Sequence, residues 1–254
     1  MTSKSPRRPV APSPRRPPPG RPGWGTLYGL GLGPGDPELI TVKAQRILRS
    51  VPILLVPVRS PEDPGYAWAI AEPHIGVQLE RVVRLPFPRE CEADLDEQWE
   101  QNCQQVLECL QQGEDAAFVT EGDPLLYSTF VQVASRLRAR VPDLPIEIVP
   151  GVSSITAASA AAGESLATRD EWLAVVPAFY GVEELRETLQ RFDAVVLLKV
   201  NRVLDEVVGV LSDLGLAERA ILVERCGRPE QRIVRDLRDC PSKVDYFSLV
   251  IVRK

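Results

Sequence analysis

The sequence predicts an α/β fold made of two α/β lobes, each a sheet covered by helices. Three observations carry this. Strand-like and helix-like patterns alternate along nearly the whole chain, as helix-covered sheets require. Some strands are short and apolar throughout, Pro52-Ile53-Leu54-Leu55-Val56-Pro57 most plainly, the pattern of strands buried on both faces. Polar glycine turns stand where strands end, and open α/β sheets bind ligands at those ends.

Folding begins at Trp24-Gly25-Thr26-Leu27-Tyr28-Gly29-Leu30, a strand feeding the turn Gly31-Leu32-Gly33-Pro34-Gly35-Asp36-Pro37. Residues 37–48 read as one helix, with Asp36 at the cap and Pro37 first; Ile40, Ala44, Ile47 and Leu48 form its apolar stripe. The 52–57 strand, a helix near 66–72, a strand at 81–85 and a long helix at 94–112 follow. The strand at 115–119 ends in Thr120-Glu121-Gly122-Asp123-Pro124-Leu125-Leu126-Tyr127-Ser128, after which 129–140 is helical. There Gly122 permits a sharp turn, Asp123 suits a helix cap and Pro124 a first helical position. A strand at 146–149 runs into Pro150-Gly151-Val152-Ser153-Ser154 and a helix of small residues at 153–162.

A second set follows: strand 172–176, helix 182–191, strand 194–199, helix 203–214, strand 220–223, and strands near 232–236 and 246–252. The lobes divide as 25–150 and 151–254. Residues 1–24 are low-complexity Pro/Arg sequence that cannot bury apolar area, and read as a disordered tail.

Composition narrows the function. The 44% hydrophobic and 26% charged fractions are those of an ordinary globular protein, and no apolar run reaches the roughly 20 residues that span a bilayer, so no membrane partner is expected. Residues 1–25 hold six basic and no acidic residues, leaving 24 basic against 35 acidic in the rest, a poor balance for nucleic-acid binding. Cys91, Cys103, Cys109, Cys226 and Cys240 show no C-x-x-C spacing, which speaks against zinc or a disulfide framework and for reduced thiols in a cytoplasmic protein. No metal site is expected: His74 is the sole histidine, and no nucleophile–base set surrounds it.

Gly29, Gly31, Gly33 and Gly35 suggest a dinucleotide fingerprint at first sight. The strict G-x-G-x-x-G spacing fails, because Pro34 and Asp36 stand where glycines belong, and the second strand ends Leu55-Val56-Pro57-Val58 without a ribose-binding acid. Glycines beside Pro34 are also suited to a flat ligand lying close to main chain.

The three glycine turns, in this order and spacing, resemble the tetrapyrrole methylase family of S-adenosylmethionine-dependent methyltransferases, from about Gly25 to Lys254. Within it, Arg84-Leu85-Pro86-Phe87-Pro88, Gly122-Asp123-Pro124-Leu125-Leu126-Tyr127-Ser128-Thr129-Phe130, Leu197-Leu198-Lys199-Val200 and the 246–254 end are similar to the branch that methylates C20 of precorrin-2 in cobalamin biosynthesis. Glu121 departs from the family's small or apolar residue. The resemblance implies an active site in the cleft between lobes, a homodimer, and S-adenosylmethionine as cofactor. Carried over by position, the cofactor contacts are Pro34, Glu121, Gly122, Asp123, Leu126, Ser153, Ser154, Lys199, Val200, Cys226 and Gly227.

A sulfonium is already a strong electrophile and a pyrrolic macrocycle an electron-rich carbon nucleophile, so alignment is the protein's main task. Asp123 is the candidate base; capping and backbone fixing explain it equally well. A polycarboxylated tetrapyrrole substrate calls for cations, and Arg59, Arg84, Arg89, Arg169, Lys199 and Arg202 sit at predicted strand ends or loops, each also readable as a solvated charge. Three alternatives stay open: a methylase of the same family acting at another tetrapyrrole position, a non-catalytic S-adenosylmethionine-binding module, and a nicotinamide enzyme.

Overall fold

A computed structural model describes residues 23–60, 62–87, 95–178 and 181–254. The expected tail apart from Gly23 and Trp24, the substrate candidate Arg89, Cys91 and the predicted helix start at Asp94 lie outside these.

The first lobe holds β1 (Leu27–Gly31), α1 (Val42–Leu48), β2 (Ile53–Val58), α2 (Tyr66–Ala71), β3 (Arg81–Pro86), α3 (Leu95–Leu110), β4 (Ala116–Thr120), α4 (Thr129–Arg140) and β5 (Ile146–Val149). Its sheet is wholly parallel, in the order β3-β2-β4-β1-β5. Alternation along each strand feeds two cores. Leu27, Ile53, Leu55 and Phe118 meet α3 and α4 on one face; Leu30, Leu54, Val56 and Val119 meet α1 and α2 on the other. A Cβ on Gly29 would come within 2.3 Å of the Phe130 ring, so that glycine makes room for α4.

The second lobe holds α5 (Ser154–Ala162), β6 (Leu173–Pro177), α6 (Val182–Arg191), β7 (Ala194–Leu198), α7 (Leu204–Asp213), β8 (Ala220–Glu224), β9 (Arg232–Val234) and β10 (Ser248–Arg253). Its order is β6-β7-β10-β8-β9, with β10 antiparallel to both neighbours. Helices α6 and α7 cover one face, and the small-residue helix α5 the other. Leu39 of the first lobe packs on that second core, so the lobes share apolar contact.

Two expected elements differ. The helix expected at 37–48 is a 3-10 turn, Pro37–Leu39, followed by α1, because Ile40 and Thr41 are extended and the Thr41 hydroxyl accepts from the Ala44 N–H as a second cap. The cap of α4 is Ser128, whose hydroxyl accepts from the Phe130 N–H; Asp123 lies in the preceding turn and Pro124 does not open the helix.

Candidate active site

The site grows from the adjacency of β1 and β4. Their loops continue the sheet as a knot of main chain: Leu32 N–H donates to Thr120 O (3.0 Å), Gly122 N–H to Gly33 O (2.8 Å) and Gly33 N–H to Gly122 O (3.4 Å). The third glycine turn docks on both. A Cβ on Gly151 would stand 2.1 Å from Gly122 O, and one on Gly31 2.5 Å from Gly151 N. At these positions glycine is required by backbone packing against backbone, so the close approach expected for a flat ligand is made here by neighbouring loops. Asp123 fastens the knot: Oδ1 accepts from Leu125 N–H (2.9 Å) and Oδ2 from Gly151 N–H (3.0 Å). Both oxygens are therefore engaged by main chain.

Against this knot lies a cavity of about 240 Å³ between the lobes. Nine of the expected cofactor residues line it: Pro34, Glu121, Gly122, Asp123, Leu126, Ser153, Ser154, Lys199 and Cys226. Two do not. Val200 is fully buried in the core under α7, and Gly227 packs against the Asp36 amide. The sequence reading missed Thr120, Tyr127, Ser128, Thr129, Ile155, Val223, Tyr246, Phe247, Ser248 and Leu249, which also line it. The Thr120 and Ser128 hydroxyls share a 2.9 Å hydrogen bond at one wall. Tyr127 (φ 52°) and Lys199 (φ 58°) hold left-handed backbone at the cavity, a strained conformation that concentrates at functional sites.

The electrostatic feature is a buried ion pair. Glu121 Oε1 lies 2.5 Å from Arg228 Nη2, and the guanidinium stacks 4.7 Å from the Tyr66 ring and 5.0 Å from that of Phe247. Burial pushes the Glu121 carboxyl up to about 7, against the pull of Arg228 and, further off, Arg59. Arg228 itself carried no motif; its nearest signal was the Cys226-Gly227 turn beside it. Burial also pushes the Cys226 thiol up, which keeps it protonated and inert. His74 lies elsewhere: Nε2 donates to Pro37 O (2.9 Å) and Nδ1 accepts from Gln45 Nε2 (3.0 Å), a satisfied structural histidine.

The expected substrate arginines scatter. Arg59, directly after β2, stacks 5.4 Å from the Tyr246 ring and so reaches the cavity rim. Arg84 is exposed on the edge strand β3, Arg169 is exposed in the α5–β6 loop, and Arg202 is exposed at the end of a 3-10 turn; none of them lines the cavity. A larger concavity, about 470 Å³, lies between Arg219, Arg235, Arg253 and Lys254. Several of its cations are already engaged: Arg253 by Glu171 and Arg235 by Ala162 O.

Paired helix-covered lobes and a glycine-knotted cavity between them define a class. The Tetrapyrrole (Corrin/Porphyrin) Methylases profile matches residues 26–239, and the chain belongs to that family. Among individual proteins, it is 33% identical over 233 residues to the cobalt-precorrin-2 C(20)-methyltransferase of Salmonella typhimurium, covering 91% of this chain and 97% of that one. It is 36% identical over 238 residues to the cobalamin biosynthesis protein CobIJ of Mycobacterium tuberculosis, covering 90% of this chain; there the chain spans about half of the relative's length, 46%. In fold it is similar to the uroporphyrin-III C-methyl transferase of Thermus thermophilus complexed with S-adenyl homocysteine, with a TM-score of 0.63 and 23% identity over 91% of this chain and 98% of that one.

Proposed function

We propose that the chain is an S-adenosylmethionine-dependent methyltransferase acting at C20 of precorrin-2 or its cobalt-bearing counterpart. The observation that carries this reading is the cavity itself. Seven residues predicted from the three separated glycine turns, with Lys199 and Cys226 from two further segments, converge on one space between the lobes. The full-length relative named above carries the C20 specificity in its name, and the structural neighbour holds the demethylated cofactor.

The lining suits a sulfonium nucleoside. Leu126, Ile155, Val223 and Leu249 supply apolar surface, while Ser153, Ser154 and the Thr120–Ser128 hydroxyl pair supply polar contacts. When bound, S-adenosylmethionine supplies an activated methyl group. The protein's share is alignment: the Asp123-fastened knot fixes Gly122 and Gly151, and the Glu121–Arg228 pair fixes one lobe against the other. In this reading Asp123 is a positioning residue, since main-chain donors occupy both its oxygens. The homodimer implied by the family resemblance and the cytoplasmic location read from the cysteines belong to the same proposal; light scattering of the purified protein tests the first.

Cofactor-induced thermal shift tests the reading. S-adenosylhomocysteine raises the melting temperature as its concentration exceeds its dissociation constant, and NAD does not. Stabilisation by NAD and none by S-adenosylhomocysteine would overturn it.

A further inference from the structure

Arg59 and Arg228 meet three aromatic rings, two of which, Tyr246 and Phe247, line the cavity. Arg59 stacks 5.1 Å from the Tyr66 ring and 5.4 Å from that of Tyr246; Arg228 stacks on Tyr66 and Phe247. Arg228 is matched by Glu121 and Arg225 by Asp245 at 2.8 Å. No ion pair among the described residues involves the Arg59 guanidinium. Of the three guanidiniums, that of Arg59 feels the Glu121 and Asp245 carboxylates only at longer range, and it is the most exposed.

We propose that Arg59 is the residue that recognises a substrate carboxylate at the cavity mouth and so helps set substrate specificity. This deepens the methyltransferase reading and rests on it, because the carboxylate belongs to the tetrapyrrole. Arg59 follows β2 at the carboxyl edge of a parallel sheet, where α/β ligands bind. Its loop is pinned: Asp63 accepts from the Arg59 N–H (3.2 Å) and the Gly65 N–H (2.9 Å), which sets Tyr66 at the head of α2. Tyr246, exposed at the rim, lines the cavity and touches the same guanidinium. Stacking on two rings orders the side chain in advance and leaves N–H edges free for a two-point grip on a carboxylate. Lysine cannot reproduce this, having neither the plane nor the fork.

The test uses purified protein and uroporphyrin III, a stable polycarboxylated tetrapyrrole, as the probe, with binding read by porphyrin fluorescence. Arg59→Met weakens porphyrin binding about tenfold to a hundredfold, as loss of a charged hydrogen-bonded contact does. Arg59→Lys recovers part of that, and Arg138→Met, a charge removed from the exposed end of α4, recovers the wild-type value. S-adenosylhomocysteine affinity and melting temperature hold in Arg59→Met, and the salt dependence of porphyrin binding flattens. Wild-type porphyrin affinity in Arg59→Met, or a parallel loss of S-adenosylhomocysteine affinity, would overturn the inference while the wild-type data keep the methyltransferase reading. A wild-type protein that binds neither ligand would remove both.

Discussion

Glu121 Oε1 and Arg228 Nη2 stand 2.5 Å apart although the residues are 107 positions apart in sequence, and they join the two lobes beside the cavity. Both side chains are mostly buried, at 20% and 16% exposure. Removing one partner of such a pair strands the other, which costs about 3–5 kcal/mol. Arg228→Met should therefore lower stability by that order at pH 8, read by denaturant unfolding, and weaken S-adenosylhomocysteine binding with it. A variant as stable as wild type contradicts the interlobe role.

The same pair predicts a pH dependence. The Glu121 carboxyl is raised from 4.5 to about 7, chiefly by burial, so it holds its proton more tightly when folded. Its contribution to stability is fully present below 4.5 and is lost as pH rises through about 7. Wild type should accordingly lose melting temperature relative to Glu121→Gln between pH 5 and pH 8. A difference between the two that stays flat across this window contradicts the shift.

The loop knot distinguishes two glycines. Gly151→Ala sets a Cβ 2.1 Å from Gly122 O, backbone against backbone, and should cost about 3 kcal/mol or more through forced displacement of the loops. Gly122→Ala meets open space and bears only the left-handed conformation (φ 69°), about 1–2 kcal/mol. Unfolding of the two variants should rank them in that order, with S-adenosylhomocysteine binding lost first in Gly151→Ala.

Asp123 separates positioning from proton transfer. Asp123→Asn keeps one oxygen acceptor and should retain most of kcat; Asp123→Ala frees the Gly151 and Leu125 N–H groups and should lose about 1.5–3 kcal/mol of stability. If Asp123→Asn abolishes turnover with its melting temperature intact, the residue is the base.

Much of this was legible from residue order. The 129–140 and 182–191 helices and the 146–149 strand fall where their apolar periodicity puts them. What was not legible depends on partners distant in sequence. The direction of β10 is set by β7 and β8 on either side, so periodicity could not show that the second sheet is mixed. The 37–48 helix breaks because Thr41 finds a cap in the Ala44 N–H, a competition no apolar stripe reports. At the site, glycine turns mark the knot because the backbone constraint is local. Tyr66, Arg228 and Phe247 carry no local constraint and become a cluster only when the lobes meet.

The most direct test of the central claim is anaerobic incubation of the purified protein with S-adenosylmethionine and freshly generated precorrin-2, with and without cobalt, and location of the new methyl by carbon-13 labelling and mass spectrometry. The account predicts a single methyl at C20, with the faster substrate choosing the cobalt-bearing or cobalt-free route. A methyl at any other carbon, or none while S-adenosylhomocysteine still binds, would contradict the C20 assignment.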